Sequence, residues 1–140
     1  MLDIEQSVVF ALSKATQRVS AVFREEFKEY CITPPQFILM AILWKTNGLS
    51  QHELSKRTRI DRTTLGGIID RLEEAEFIER RPSPEDLRIH RVWLRDKGRC
   101  LEQYLCHTVY RVRHRIAERL IPGEYKQLKR LLNKLLIDTQ

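Results

Sequence analysis

Two short helical segments in close succession, at residues 50–57 and 61–75, constrain the fold of this chain more than any other feature. Ser50 is followed three residues later by Glu53, and this capping-box spacing predicts the start of the first segment. Asp61 is suited to cap the second segment. A helix of two turns is rarely stable alone, so both segments must pack against further elements. The predicted buried face of the second helix, at helical spacing, consists of Leu65, Ile68, Ile69 and Leu72.

Two short stretches that follow, residues 77–81 and 90–94, are predicted to be strands. Pro82 and Pro84 lie between them and exclude a helix there, so the two strands form a β-hairpin with a charged tip. The order of short helix, turn, second helix and hairpin predicts a winged helix-turn-helix. In that fold the second helix enters the DNA major groove and places its N-terminal residues at the base edges.

Helical patterns also fill the chain on both sides of this unit. The predicted helices run from Asp3 to about Lys28, from the Thr33-Pro34 start to Trp44, from an Asp96 cap to Leu120, and from Pro122-Gly123-Glu124 onward. The last helix is too apolar to stay exposed on a monomer of this size, so we expect a homodimer. Its apolar residues are Tyr125, Leu128, Leu131, Leu132, Leu135 and Leu136.

These elements predict a mostly α (α+β) fold, with six helices and a two-stranded β-wing. We expect one domain over residues 1–140, because the length and the 42% apolar content suit one hydrophobic core. Within it, residues 34–96 form the predicted DNA-binding lobe, and residues 1–33 and 97–140 form the dimerisation helices.

The charge of the chain favours a polyanionic partner. Twenty-five Lys and Arg against nineteen Asp and Glu give a net charge of +6, which favours nucleic acid first and an acidic membrane surface second. The sequence has no apolar run of about eighteen residues and no signal-peptide pattern, so we expect a soluble, cytoplasmic protein without membrane partners. The cysteines, Cys31, Cys100 and Cys106, include no CxxC pair and are interpreted as reduced thiols.

Two groups of residues are suited to contact double-stranded DNA. Arg62, Thr63 and Thr64 begin the second helix, where their side chains can bond bases or phosphates. The hairpin tip is predicted to present several arginines, and an arginine on a projecting wing suits the electronegative minor groove. Arg88 is the strongest candidate among Arg80, Arg81, Arg88 and Arg91. Without the neighbouring elements, both groups would be interpreted as solvated surface.

Segments 49–57 (LSQHELSKR), 60–65 (IDRTTL) and 69–73 (IDRLE) resemble the signature of the MarR family of transcription regulators. The segment 79–88 (ERRPSPEDLR) is similar to the wing of that family, and 94–98 to the start of its long dimer helix. The resemblance implies that Asp86 positions the wing loop and that Arg88 enters the minor groove. It also implies a two-fold dimer on a near-palindromic operator, commonly a repressor released by a small anionic aromatic ligand.

The predicted DNA contacts form one set across both helices and the wing. Many members of the family carry a long polar residue where this chain has Gly67. Two adjacent glycines lower helix propensity, so either they permit close approach of the backbone to DNA or they are a tolerated flaw. The full set is Ser50, Gln51, Arg62, Thr63, Thr64, Gly66, Gly67, Arg71, Arg81, Asp86, Arg88 and Arg91.

An effector site needs a cationic or hydrogen-bonding group beside aromatic rings, and members of the family usually place it between the first, second and fifth helices and the DNA-binding lobe. The candidates are Arg18, Trp44, Tyr104, His107 and Arg111. Alternatively, the two aromatic residues belong to the core and the others to the surface. Cys100, His107 and His114 recur every seven residues, too far apart along one helix to hold one metal ion, so no metal or cofactor is predicted.

No catalytic constellation is recognisable, and we predict that the chain is not an enzyme. Two other functions stay open at this point. The winged helix could be a protein-interaction module, or the chain could bind DNA without sequence preference as an architectural protein.

Overall fold

The computed structural model describes residues 1–136, and six α-helices and a three-stranded sheet make up most of them. The predicted mostly α winged helix-turn-helix is confirmed. None of the helices in this range is long and apolar enough to cross a lipid bilayer. The elements are α1 (Val8–Glu26), α2 (Pro34–Lys45), β1 (Leu49–Ser50), α3 (Gln51–Thr58), α4 (Arg62–Glu74), β2 (Ile78–Pro82), β3 (His90–Leu94), α5 (Asp96–Ala117) and α6 (Pro122–Leu135), with short 3-10 helices at Ile4–Gln6 and Lys28–Tyr30.

Side-chain caps fix the three helix starts that the sequence indicates most clearly. The Thr33 hydroxyl accepts the Gln36 N–H at 3.3 Å, and the Gln36 side chain accepts the Thr33 N–H at 3.1 Å, which completes a capping box for α2. The Ser50 hydroxyl accepts the Glu53 N–H at 3.1 Å and starts α3. Asp61 accepts the Thr64 N–H at 3.1 Å and starts α4. Each bond satisfies an N–H that the helix itself leaves free.

Several helix boundaries differ from the sequence prediction. The first helix begins at Val8 rather than at Asp3, because the Ser7 hydroxyl accepts the Val9 N–H at 3.1 Å and caps it there. Helix α5 begins at Asp96 itself, so Asp96 is not its cap. The cap position is Arg95, whose backbone is extended and donates to Phe77 O at 2.9 Å. Helix α5 also ends at Ala117, before the predicted Leu120.

The sheet has the strand order β1-β3-β2 with antiparallel pairing throughout. Its register places Ile78 opposite Leu94 and Arg81 opposite Arg91. The third strand, β1, consists of two residues, which is too short for periodicity to reveal. Gly48 precedes it with φ of 75°, and a Cβ there would lie 2.5 Å from the Trp93 ring. The approach to the sheet therefore requires glycine on both counts.

The main hydrophobic core lies between α2, α3, α4 and the sheet. The predicted buried face of α4 is confirmed, since all four of its residues are at most 5% exposed. The other buried residues of this core are Leu39, Met40 and Leu43 of α2, Leu54 of α3, and Leu49, Ile78, Val92 and Leu94 of the sheet. This core fixes the position of the start of α4 relative to the wing.

A close backbone contact attaches α5 to this core. A Cβ on Gly98 would lie 2.1 Å from Phe77 O, so only glycine permits the approach. The Trp44 indole N–H donates to Gly98 O at 2.9 Å, and the Arg95 N–H donates to Phe77 O. We call this contact of Trp44, Phe77 and Gly98 the α5 joint.

A second core connects α1 with α5. Phe23 and Phe27 stack with ring centroids 3.9 Å apart, and Leu105 and Val112 of α5 belong to the same cluster. Beside it, Glu26 accepts hydrogen bonds from Arg111 at 2.9 Å and from Arg115 at 3.3 Å. Hydrogen bonds from the Arg111 and Arg115 guanidinium groups hold the pKa of the Glu26 carboxyl below its usual value.

A large apolar surface on α1 and α6 has no cover within the described residues. Val8 and Val9 are 67% and 66% exposed, and Leu135 is 64% exposed. Three more leucines of α6 and its C-cap residue are at least 36% exposed, so the described part of a single chain leaves this surface largely open to solvent. The last four residues of the predicted dimerisation segment, 137–140, lie outside the described residues. The exposed leucines in question are Leu128, Leu131, Leu132 and Leu136.

Candidate nucleic-acid interface

The N-terminal turn of α4 presents three polar side chains to solvent. Arg62, Thr63 and Thr64 are all exposed, as a base-contacting turn requires. Hydrogen bonds from the Thr64 hydroxyl and backbone N–H hold the pKa of Asp61 below its usual value. Asp61 is therefore ionised at neutral pH and keeps this turn fixed. The Arg62 guanidinium also donates to His52 Nδ1 at 2.8 Å.

Gly66 and Gly67 lie one turn further along α4. A Cβ built on either residue meets no heavy atom within 4 Å. No packing requirement within the described chain demands glycine here, in contrast to Gly48 and Gly98. Of the two explanations for these glycines, close approach of the α4 backbone to DNA gives them a role, whereas a tolerated flaw does not.

Arg80 lies at the base of the wing, and its predicted position at the tip is wrong. Its guanidinium reaches Asp70 at 2.7 Å and Glu73 at 2.9 Å, both on α4. Its backbone N–H donates to the Glu73 carboxylate at 3.0 Å. With a side chain only 22% exposed, Arg80 fastens the wing to α4 and is not free to contact DNA.

The wing tip presents Arg88, whose side chain is 90% exposed. Asp86 accepts three hydrogen bonds from Arg88, from the backbone N–H at 3.0 Å and from Nε and Nη2 at 3.1 Å each. These bonds, with that of the Arg88 side chain first, hold the pKa of Asp86 below its usual value. Asp86 O also accepts the Ile89 N–H at 3.0 Å. Asp86 thus orders the loop and orients the Arg88 side chain.

The other predicted DNA-contact residues of the wing and helices differ in how available their side chains are to DNA. The Arg91 guanidinium is engaged within the protein, since it donates to Ser83 Oγ at 3.3 Å and to Gly48 O at 3.1 Å. Arg81 pairs with Glu79 and lies over the Trp93 ring, but 57% of its side chain stays exposed. Arg71, in the last turn of α4, is exposed and Gln51 is half-buried.

Ser50 does not suit the DNA-contact role predicted for it. Only 7% of the residue is exposed, and its hydroxyl both caps α3 and donates to the Glu53 carboxylate at 3.0 Å. A hydroxyl engaged in this way has little capacity left for a phosphate or a base. We assign Ser50 to the positioning of α3.

The five predicted effector residues do not converge within one chain. Arg18 pairs with Glu118 at 4.0 Å, whereas Arg111 pairs with Glu26. His107 is exposed on α5, and Tyr104, at 59% exposed, is not a core residue. Trp44 is half-buried at the α5 joint.

An apolar groove between α2 and α5 includes only Trp44 of that set. It has a volume of about 480 Å³ and one cationic side chain, Lys45. Sequence reasoning missed Lys45, because the pairing of α2 with α5 is a tertiary contact that periodicity does not show. The groove is lined by Phe37, Ala41, Trp44, Lys45, Glu102, Leu105, Cys106 and Val109.

The cysteines and histidines form no metal site within residues 1–136. No group of three His, Cys, Asp or Glu side chains in this range is placed to bind one ion. Cys31, Cys100 and Cys106 are free thiols on the surface.

Comparison with known proteins gives consistent matches along the chain. The model of the MarR family matches residues 32–90. The HTH-type transcriptional repressor NicR of Pseudomonas putida is 30% identical over 134 residues, which cover 96% of this chain and 85% of that protein.

Solved structures match at similar identity. BpsR of Bordetella bronchiseptica, whose DNA binding is regulated by 6-hydroxynicotinic acid, has a TM-score of 0.93 at 26% identity over 98% of both chains. A mutant MarR from E. coli complexed with operator DNA has a TM-score of 0.83 at 25% identity, over 90% of this chain and 91% of that one. The chain therefore belongs to the MarR family of transcription regulators and carries its DNA-binding winged helix-turn-helix.

Proposed function

We propose that this regulator is a homodimeric repressor that binds a near-palindromic DNA operator and is released by a small aromatic acid. The observation that carries the proposal is the exposed turn Arg62–Thr64, held by the Asp61 cap at the start of α4. A helix that begins with such a turn is suited to read base edges in the major groove. Arg88, extended from the wing by Asp86, is suited to the adjacent minor groove.

The homodimer follows from the apolar surface of α1 and α6. Leucines that are 36% to 64% exposed along one helix are costly in water, and a second copy of the same chain supplies a matching surface. In this division residues 34–96 contact DNA, while 1–33 and the segment from 97 onward pair the chains. Two-fold symmetry then places the recognition helices about 34 Å apart, on successive major grooves.

The groove between α2 and α5 is our candidate effector site. Apolar walls and the Trp44 ring suit an aromatic ligand, and Lys45 suits its carboxylate. BpsR, regulated by 6-hydroxynicotinic acid, supports this choice of ligand class. Because the groove lies between the DNA-binding lobe and the proposed dimer helix α5, a bound ligand alters how the lobes sit in the dimer. The effector site of the proposed dimer would also include residues of the second chain. The predicted contributors to it are Arg18, Tyr104, His107 and Arg111.

Selection of bound sequences from a random DNA pool, followed by affinity measurements at two salt concentrations, tests the DNA-binding proposal. We expect a palindrome whose affinity advantage over scrambled DNA survives the higher salt. Arg88→Ala should weaken binding with little change in preference, whereas Thr63→Ala should relax preference at one base pair. Enrichment of no sequence would favour the protein-interaction module, and binding that salt abolishes equally on all sequences would favour an architectural protein.

The effector proposal is tested by fluorescence. The chain has two tryptophans, so a Trp93→Phe variant reports on Trp44 alone. Titration with hydroxylated aromatic carboxylates should quench this signal and release operator DNA at the same concentrations. Lys45→Gln should weaken both effects together, with Lys56→Gln, outside the groove, as the matched control. Release of DNA without any change at Trp44 would place the effector elsewhere.

A further inference from the structure

His52, the second residue of α3, contacts the first residue of the recognition helix. The Arg62 guanidinium nitrogen Nη2 lies 2.8 Å from His52 Nδ1. Both side chains are exposed, so the contact contributes to the surface of the winged helix and not to its core. The two residues line one cleft together with Ser55, Lys56, Arg59, Ile60 and Asp61.

The chemistry of the pair fixes which atom donates. A guanidinium carries only donors, so in this contact Arg62 donates and His52 Nδ1 accepts, which is the role of Nδ1 in the tautomer that carries its proton on Nε2. Among the described residues that line the cleft, His52 is the side chain to which Arg62 donates. Lys56 and Arg59 are cations, the Ser55 hydroxyl donates to Ile60 O at 2.7 Å, and Asp61 caps α4 through the Thr64 N–H.

A neutral acceptor has an advantage that a carboxylate lacks. It limits the orientations of the long Arg62 side chain and leaves its full positive charge available to DNA. A carboxylate at residue 52 would hold Arg62 equally well, but it would cancel that charge and repel phosphates. Orientation before binding reduces the side-chain entropy lost when the complex forms.

We infer that His52 is a positioning residue, which holds the Arg62 guanidinium in the orientation that reads DNA and thereby sets the affinity and base preference that Arg62 contributes. The inference rests on the proposed function, because it requires Arg62 to contact DNA. It also gives the imidazole a second use. Among residues 1–136 the ring makes no other hydrogen bond, so Nε2–H is a donor available to a DNA acceptor.

A double-mutant cycle on the full-length protein tests this inference. Operator affinity is measured by fluorescence anisotropy for the wild type, His52→Ala, Arg62→Ala and the double variant. We expect His52→Ala to weaken binding about fivefold to tenfold, and the double variant to be within about twofold of Arg62→Ala. His52→Ala should also lose discrimination at the same base pair as Arg62→Ala.

Two conservative variants separate positioning from a general structural role. His52→Gln keeps a neutral acceptor and should bind within about twofold of the wild type, whereas His52→Glu keeps an acceptor but should bind worse than His52→Ala. The matched control is Lys56→Ala, a neighbour in the cleft. Its fold-loss of operator affinity should be independent of Arg62, so the double variant of Lys56 and Arg62 should show the product of the two single fold-losses.

The outcomes distinguish the two proposals. Suppose that Arg62→Ala weakens operator binding. If His52→Ala has no effect, or if the fold-loss of the double variant equals the product of the two single fold-losses, the positioning role is wrong and the proposed DNA contact stands. If Arg62→Ala binds as the wild type does, the predicted DNA contact of Arg62 fails and the role of His52 fails with it. Failure of His52→Gln to restore binding would also overturn the positioning role.

Discussion

Replacement of Gly67 by alanine should have opposite effects on the stability of the protein and on its affinity for DNA. A methyl group at this position meets no heavy atom within 4 Å in the free chain, so it causes no clash. What remains is the higher helix propensity of alanine, which stabilises a helix interior by about 1 kcal/mol. For a chain of this length the melting temperature should rise by roughly 2–5 °C.

The same methyl group should weaken DNA binding if the α4 backbone approaches the bases closely. Insertion of a methyl group into a packed contact typically costs about 1–3 kcal/mol, which corresponds to a loss of about fivefold to 150-fold in affinity. Thermal unfolding and anisotropy with the selected operator measure the two effects on one protein sample.

Gly123→Ala is the matched control. Gly123 also has open space around its Cβ, but it lies in the first turn of α6, away from the proposed DNA contacts. Its replacement should leave operator affinity unchanged. Unchanged DNA affinity in Gly67→Ala, alongside the expected gain in stability, would show that the glycine is a tolerated flaw. A loss of stability in Gly67→Ala would refute the helix-propensity argument itself.

Three further predictions follow from the packing and the charges. Gly98→Ala, which places a methyl group 2.1 Å from Phe77 O, should lower the free energy of unfolding by about 2–3 kcal/mol in urea denaturation, and an unchanged value would contradict the close contact. Leu131→Glu should give a single-chain mass in analytical ultracentrifugation, whereas Arg130→Glu, on the opposite face of α6, should keep the mass of a dimer. Because the folded-state pKa of Glu26 is lowered, its ionised form stabilises the fold above the pKa of the unfolded chain, and this contribution is lost as the pH falls through the lower folded value. Glu26→Gln should therefore lose less stability than the wild type between about pH 5 and pH 3, and equal losses in calorimetry would contradict the assignment.

The helix starts could be predicted from the sequence because their determinants are local. Thr33, Ser50 and Asp61 each bond an N–H three residues away, so sequence spacing alone identifies them. The start of α5 was displaced by a tertiary bond, from the Arg95 N–H to Phe77 O, which has no local signature. Strand β1 escaped prediction for the same reason, since its two residues exist as a strand only through pairing with β3.

The exposure of the predicted DNA-contact residues could be inferred from the sequence, whereas their contacts with tertiary partners could not. Arg62 and Arg88 are exposed, as their positions in the turn and wing suggested. Arg80 was misplaced although a signal existed. It lies two residues from the buried Ile78, so strand alternation puts both on one face, toward α4. His52 had no signal of this kind, because its contact with Arg62 depends on how α3 and α4 pack.

The α5 joint is the fixed contact between helix α5 and the DNA-binding lobe. Gly98 lies directly against the Phe77 backbone, so a sliding motion of the first turn of α5 along the lobe would bring these atoms into a clash. The candidate effector groove opens further along the same helix, near Cys106, about 12 Å from that point at the rise of an α-helix. A ligand that widens the groove by about 1–2 Å would therefore rotate the lobe relative to α5 by about 5–10° around the α5 joint. In the proposed dimer, this tilt would change the spacing between the two recognition helices.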